Sequence, residues 1–304
     1  MKYKIVYMGT PHYAKEILDT LIQAEDMEVS LVITQPDRPV GRKKVLTPPP
    51  VKVLAEENGI DVLQPNRLSD EGVENTIKEM NPDFIVVAAF GQILPKSILE
   101  IAPCINLHAS LLPKYRGASP VQQALLNGDK KTGVTSMLME EGLDTGPMLE
   151  TIEFEIPSDM RLYALMAQLT KDACTLTLST LRNYNQLNAQ IQDESQATLC
   201  KKIKKSDGEV DFEDAGLVYN KYRAFEGWPG IFAADGTKFD GLSLVDTGSH
   251  NKAFEILSFV DESIVVGCLE GSLQIETIQP VSKKAMSAKA YCVGRGLKVG
   301  DSII

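Results

Sequence analysis

The stretch Ile5–Ile33, IVYMGTPHYAKEILDTLIQAEDMEVSLVI, decides the architecture. Ile5–Met8 is a short apolar run that stops at Gly9-Thr10-Pro11. Ala14, Ile17, Leu18, Leu21 and Ile22 then recur at helical spacing, and Val29–Ile33 is a second largely apolar run. Run, 3.6-residue periodicity and run together read as strand, helix and strand. The alternation continues outward. Val51, Leu54 and Ala55 predict a helix closed by Asn58-Gly59, Phe84–Ala89 and Cys104–Leu107 are further strands, and Val121–Leu126 is a helix ended by Asn127-Gly128. Strands alternating with helices build a mostly parallel sheet covered on both faces. Ligands of such sheets gather beyond the carboxyl ends of the strands, so the loops after Met8, Ile33, Ala89 and Leu107 are the places to search.

Further along, Leu162, Leu165, Met166, Leu169, Ala173 and Leu176 mark a long helix starting at Arg161, with Ser158 or Asp159 as N-cap. After Leu187 the pattern breaks into the polar stretch Gln190–Gln196 and then a lysine run, which reads as a basic linker over 189–205. Beyond Ser206 the texture changes to short stretches, Phe239–Val245, Phe254–Phe259, Ile264–Cys268 and Leu273–Ile278, separated by turn residues. That is the pattern of a small β-barrel or sandwich. The expected organisation is an α/β domain over 1–188, the linker, and a β domain over 206–304.

Composition excludes several classes. With 304 residues, 43% apolar and 24% charged, the chain matches ordinary globular proteins rather than disordered or collagen-like ones. No uncharged apolar run approaches the roughly 20 residues that cross a bilayer. The apolar run at the N-terminus is too short for a signal peptide, so a soluble cytoplasmic protein is expected. The five cysteines are widely spaced with no C-x-x-C pair, and the three histidines are scattered. Neither a metal site nor a disulfide framework is expected. The net charge of −10 argues against a polyanionic partner, but three segments contain no acid: 38–52, 195–205 and 281–300. They carry Arg38, Arg42, Lys43, Lys44 and Lys52, then Lys201, Lys202, Lys204 and Lys205, and then Lys283, Lys284, Lys289, Arg295 and Lys298. Basic segments on an acidic body still attract a phosphate backbone, because charges beyond about 8 Å are screened. A nucleic-acid partner is therefore one reading, and solvated surface the other.

Asn106 and His108 stand two apart on an expected strand and share a face. A lone Asn-x-His favours a structural histidine. The position at a strand's carboxyl end, before a rigid loop running from Ala109 to Pro120, favours chemistry. Downstream, Asp144 lies in a Gly-flanked turn between two extended stretches. An amide and an imidazolium stabilise a developing oxyanion while a carboxylate orients the imidazole and takes protons, which suits acyl transfer. The turn at Gly9 lacks G-x-G-x-x-G, which removes a dinucleotide site. Trp228, the single tryptophan, is expected as a packing anchor of the β domain.

Asn106-Leu107-His108 with Ser110-Leu111-Leu112-Pro113-Lys114-Tyr115-Arg116-Gly117 and Leu143-Asp144-Thr145-Gly146 resembles the signature of formyltransferases that use 10-formyl-tetrahydrofolate. Met8-Gly9-Thr10-Pro11, the loop Gln35–Arg42 and Phe225-Glu226-Gly227-Trp228-Pro229-Gly230 are similar to motifs of the bacterial branch that acts on methionyl initiator tRNA. The resemblance implies a Rossmann-like domain with the formyl-transfer site and an OB-like β-barrel. It implies Asn106 and His108 as oxyanion stabilisers and Asp144 as orienting carboxylate and proton acceptor. Ser110, Leu111, Leu112 and Pro113 are then the folate segment. Arg42, Lys43, Lys44, Lys201, Lys202, Lys204 and Lys205 are then the tRNA contacts. Folate is a co-substrate, no metal or membrane takes part, and a monomer is expected. Two other readings share the motifs: a formyltransferase of a small amine, such as an amino sugar nucleotide or a purine precursor, and a tRNA-binding or chaperone-like protein with a vestigial site.

Overall fold

The computed structural model describes residues 2–41 and 43–304. The chain divides into two compact units. One takes the chain up to Pro120, Lys131–Glu155 and Met166–Lys201; the other takes Val121–Lys130, Ile156–Leu165 and Lys202–Ile304.

In chain order the elements to Lys201 are β1 (Tyr3–Gly9), α1 (His12–Gln23), β2 (Met27–Ile33), β3 (Arg38–Val40), β4 (Val45–Thr47), α2 (Pro50–Glu57), β5 (Val62–Leu63) and α3 (Val73–Glu79). Then come β6 (Phe84–Ala88), α4 (Lys96–Leu99), β7 (Cys104–His108), β8 (Arg116–Gly117), α5 (Pro120–Leu126), β9 (Lys131–Leu138), β10 (Met148–Glu155), α6 (Leu162–Asn183) and β11 (Leu199–Cys200). Seven strands form one sheet in the order β10-β9-β7-β6-β1-β2-β5. From β7 to β5 all neighbours are parallel, while β9 runs antiparallel to β7 and β10 antiparallel to β9. The sheet is thus Rossmann-like and mostly parallel, with an antiparallel hairpin completing one edge.

The strands form where apolar runs can be buried on both faces. β6, FIVVA, is buried at all five positions, and so is β7, CINLH. Asn106 and His108 are therefore polar side chains inside a strand whose other residues are core. The registers Gly9↔Ala88 and Val87↔Asn106 bring the carboxyl ends of β1, β6 and β7 to the same edge. The strand order reverses at β1, which has β2 on one side and β6 on the other, the arrangement that opens a crevice for ligands. Gly9 permits the turn from β1 into α1: a Cβ there would stand 2.7 Å from Ala14 Cβ and 2.9 Å from the Tyr7 ring. The Tyr13 hydroxyl donates to Leu107 O at 3.2 Å and so ties α1 to β7. On α6, the Ser179 and Thr180 hydroxyls donate to the Glu150 carboxylate at 3.1 and 2.9 Å, which fixes the β9–β10 hairpin.

Two segments differ from their expectation as unstructured chain. The basic loop contains the β3–β4 hairpin. The linker segment is ordered against the first unit: Leu199–Cys200 pairs in parallel with Arg116–Gly117, and Gln190 exchanges both backbone hydrogen bonds with Met148.

The second unit contains α7 (Ala215–Ala224), β12 (Ile231–Phe232), β13 (Lys238–Asp246), β14 (Ile256–Val260), β15 (Ser263–Gly267), β16 (Ser272–Gln279), β17 (Met286–Ser287) and α8 (Ala288–Arg295). Its sheet runs β12-β13-β16-β15-β14 with β17 beside β16, and every pairing is antiparallel. This is the mainly antiparallel arrangement of an OB-like domain. Phe212, Phe239 and Phe254 pack together in its core, with ring centroids 4.4–6.5 Å apart. Trp228 is not the packing anchor: it is 58% exposed, while Phe225 is 1% exposed and fills that role. Gly227 and Gly230, both at positive φ, turn the chain outward between them.

Candidate active site

Asn106 and His108 are 8% and 6% exposed at the end of β7. Asp144 reaches them from the turn between β9 and β10. Asn106 Nδ2 donates to Asp144 Oδ1 at 3.3 Å, and His108 Nδ1 lies 3.7 Å from Asp144 Oδ2. The second Asp144 oxygen also accepts the Gly117 N–H at 2.8 Å. His108 Nε2 is 2.9 Å from Tyr115 O. A carbonyl can only accept, so Nε2 carries a hydrogen and donates. Nδ1 faces the Asp144 carboxylate and can donate toward it only in the doubly protonated ring. Tyr115 O, rather than the carboxylate expected from the sequence, sets the tautomer. Among the described residues, no partner takes the second N–H of the Asn106 amide. That donor is available to a substrate oxygen.

The segment after β7 is stapled to β9. Thr135 Oγ1 donates to Ser110 O at 2.7 Å and accepts the Leu112 N–H at 3.2 Å. Ser110 is fully buried and its hydroxyl donates to Lys114 O at 2.6 Å, so this side chain shapes the loop from within. Leu112 is buried, and Leu111 and Pro113 are partly exposed. At Gly117, φ is +116° and a Cβ would collide with Cys200 O, so only glycine lets β8 and β11 meet.

Sequence reasoning missed the residues behind the site. Arg116 is buried; its Nε donates to Gln192 Oε1 at 2.9 Å, and its terminal nitrogens donate to both Glu194 oxygens at 3.0 and 2.7 Å. Gln192 Nε2 donates to Asp144 O at 2.8 Å and Gly146 O at 2.7 Å. The Thr198 hydroxyl accepts the Tyr115 N–H at 2.9 Å. Cys200 Sγ accepts the Ser119 N–H at 3.3 Å, and burial pushes its thiol up, which makes it packing rather than nucleophile. No periodicity marks these residues, because they lie in a polar stretch with composition like any loop.

Arg42 lies outside the described residues. Lys43 and Lys44 are exposed between β3 and β4, and Lys201, Lys202, Lys204 and Lys205 are exposed after β11. Lys52 is committed to Asp37 at 3.1 Å. Among the described residues, no cluster of His, Cys, Asp and Glu is placed to hold a metal ion, and no helix is long and apolar enough to cross a membrane.

Comparison with known proteins gives the family. Residues 1–181 match formyl transferase, and residues 202–296 match the formyl transferase C-terminal domain. The chain belongs to the formyl transferase family. The methionyl-tRNA formyltransferase of Sulfurovum sp. (strain NBC37-1) is 75% identical over 304 residues, covering 100% of both chains. Among formyl transferases of known structure, the N-formyltransferase from Helicobacter canadensis, solved with folinic acid and dTDP-3-aminofucose, superposes with TM-score 0.68 at 18% identity over 90% of this chain and 98% of its own. HypX from Aquifex aeolicus, solved with tetrahydrofolic acid, superposes with TM-score 0.61 at 16% identity over 98% of this chain. The chain spans about half the length of HypX, 48% of it. At such identities the two structures show the shared formyl transferase fold and nothing finer.

Proposed function

We propose that this formyl transferase moves the formyl group of 10-formyl-tetrahydrofolate to the α-amine of methionine esterified to initiator tRNA. The product is formylmethionyl-tRNA for translation initiation in the cytoplasm. The carrying observation is the polar trio at the carboxyl edge of an otherwise apolar strand, in a chain 75% identical over its whole length to a methionyl-tRNA formyltransferase.

The chemistry follows from the donors present. α-Amines titrate near about pH 7.7–8.0, so a useful fraction is neutral at physiological pH and needs no strong base. The amine nitrogen forms a bond to the formyl carbon, and the carbonyl electron pair moves onto oxygen. The spare Asn106 N–H donates to that oxyanion, and the cationic His108 ring stabilises it by charge at close range. Asp144, between them, accepts the proton that the attacking nitrogen loses. The bond from the formyl carbon to the folate nitrogen then breaks as the carbonyl re-forms, and the proton held by Asp144 passes to the leaving nitrogen to give tetrahydrofolate. Leu111, Leu112 and Pro113 offer an apolar flank for the folate ring system, with Ser110 holding the segment in shape. Arg42, Lys43 and Lys44 meet the acceptor end of the tRNA. Lys201, Lys202, Lys204 and Lys205 follow its phosphates. Residues 1–188 supply the reacting groups, 189–205 lead to the C-terminal part while bracing the site through Gln192, and 206–304 contribute to holding the tRNA. The chain acts as a monomer.

One assay tests the reading. The protein is incubated with 10-formyl-tetrahydrofolate and either methionyl initiator tRNA or an amino sugar nucleotide, and formyl-amide product is measured. Product on the tRNA alone is expected. Product on the sugar alone selects a small-amine transferase, and no product on either selects a binding protein with an inactive site.

A further inference from the structure

We infer that Gln192 is the positioning residue of the reaction, holding the Asp144 turn in the geometry that the proposed chemistry uses. The inference rests on the catalytic reading of Asp144 given above. Asp144 has φ +54°, a left-handed conformation that residues with a side chain seldom adopt. Something outside the turn must over-determine it. The Gln192 amide does so, because its Nε2 donates to Asp144 O at 2.8 Å and to Gly146 O at 2.7 Å, on either side of Thr145. Its Oε1 accepts from Arg116 Nε at 2.9 Å. The amide cannot be turned around, since carbonyls only accept and a guanidinium only donates.

These bonds close a ring. Arg116 is followed directly by Gly117, whose N–H donates to Asp144 Oδ2 at 2.8 Å. The backbone of Asp144 and the donor to its carboxylate are thus held by the two ends of one side chain. Gln192 is 4% exposed, while its neighbour Ile191 is 91% exposed, so the segment presents the glutamine inward by alternation. The Gln190–Met148 backbone pair anchors the strand-like segment alongside β10, and Glu194 holds the far side of Arg116. A misplacement of about 1 Å in a reacting group can cost on the order of a hundredfold in rate.

The test uses the full chain with both substrates. Gln192→Met keeps the length of the side chain and removes every polar contact. Gln192→Glu keeps an oxygen for Arg116 but faces the two carbonyls with an acceptor, and it replaces the methionine variant if that one does not fold. Either is expected to lower kcat by roughly tenfold to a hundredfold, with KM for folate and for tRNA within about threefold of the parent. In an Asp144→Asn background the same change is expected to lower kcat by less than about twofold, because no carboxylate remains to be positioned. A kcat within about twofold of the parent in the folded variant overturns the inference. So does an equal fractional loss in the Asp144→Asn background, which is what a purely structural residue gives. If Asp144→Asn itself turns over like the parent, the catalytic reading fails, and the role of Gln192 falls with it.

Discussion

His108 has its Nε2 bonded to the Tyr115 carbonyl at 2.9 Å, while its Nδ1 stands 3.7 Å from the Asp144 carboxylate, beyond hydrogen-bond distance. In the mechanism proposed above, His108 acts by charge and Asn106 is the directed donor. The two roles separate by substitution. Asn106→Ala removes one oxyanion donor and is expected to lower kcat by on the order of a hundredfold with little change in tRNA affinity. His108→Ala is expected to be at least as severe, because it removes the cation and leaves Asp144 Oδ2 without its partner ring. Rapid-quench measurement of single turnovers checks both. A variant that turns over at the parental rate while folded takes its residue out of the mechanism. Gly117 gives a third residue-scale test. Gly117→Ala puts a methyl group into Cys200 O and is expected to displace the N–H that serves Asp144, lowering turnover and the unfolding midpoint together.

Among the elements, the turn after β13 shows how a carboxylate stabilises a local structure. Asp246 is held well below the usual carboxylate range, first by the Ser272 hydroxyl, then by the N–H and hydroxyl of Ser249, with Gly248 N–H adding to them. A lowered pKa in the folded state means the folded chain binds fewer protons there than the unfolded one. The stabilisation is complete above the unfolded value of about 3.9 and is lost as pH falls toward the folded value. Asp246→Asn is therefore expected to destabilise the protein near pH 7 and to lose that difference progressively below about pH 4. Urea unfolding of both proteins at neutral and acid pH measures it, and an unchanged gap would mean that the turn depends on shape alone. The β9–β10 hairpin depends instead on α6, through Glu150. Glu150→Ala leaves the Ser179 hydroxyl without its acceptor and Thr180 with Ser136 Oγ alone, and is expected to cost about 1 kcal/mol in the same measurement.

For the whole molecule, the distribution of charge matters more than its sum. The net charge is −10, yet Lys201, Lys202, Lys204 and Lys205 are all exposed in a segment without acids. If they meet tRNA phosphates, changing them to Ser flattens the dependence of log kcat/KM on log salt by about 0.9 per lost contact. The preference for initiator over elongator methionine tRNA is expected to survive that change and to narrow in Arg42→Ala. A salt series with both tRNAs separates charge from discrimination. An unaltered slope in the serine variant would remove the lysines from the interface.

Ile5–Met8, Phe84–Ala88 and the helical spacing after Ala14 fixed strands and helices by local periodicity, because burial on one or both faces leaves a repeat in the chain itself. Asn106, His108 and Asp144 were legible as residue types at a strand end and in a turn, and their motifs pointed to formyl transfer. Tertiary structure alone decided how they meet. Asp144 is 38 residues from Asn106, and the Gln192 amide that holds it is 48 residues further on. Hydrogen bonds between segments so distant leave no periodic trace, which is why Gln190–Gln196 read as linker and Arg116 stood in its motif without a role of its own. The exposure of Trp228 and the antiparallel run of β9 and β10 were decided in the same way, by what space and partners the assembled core left over.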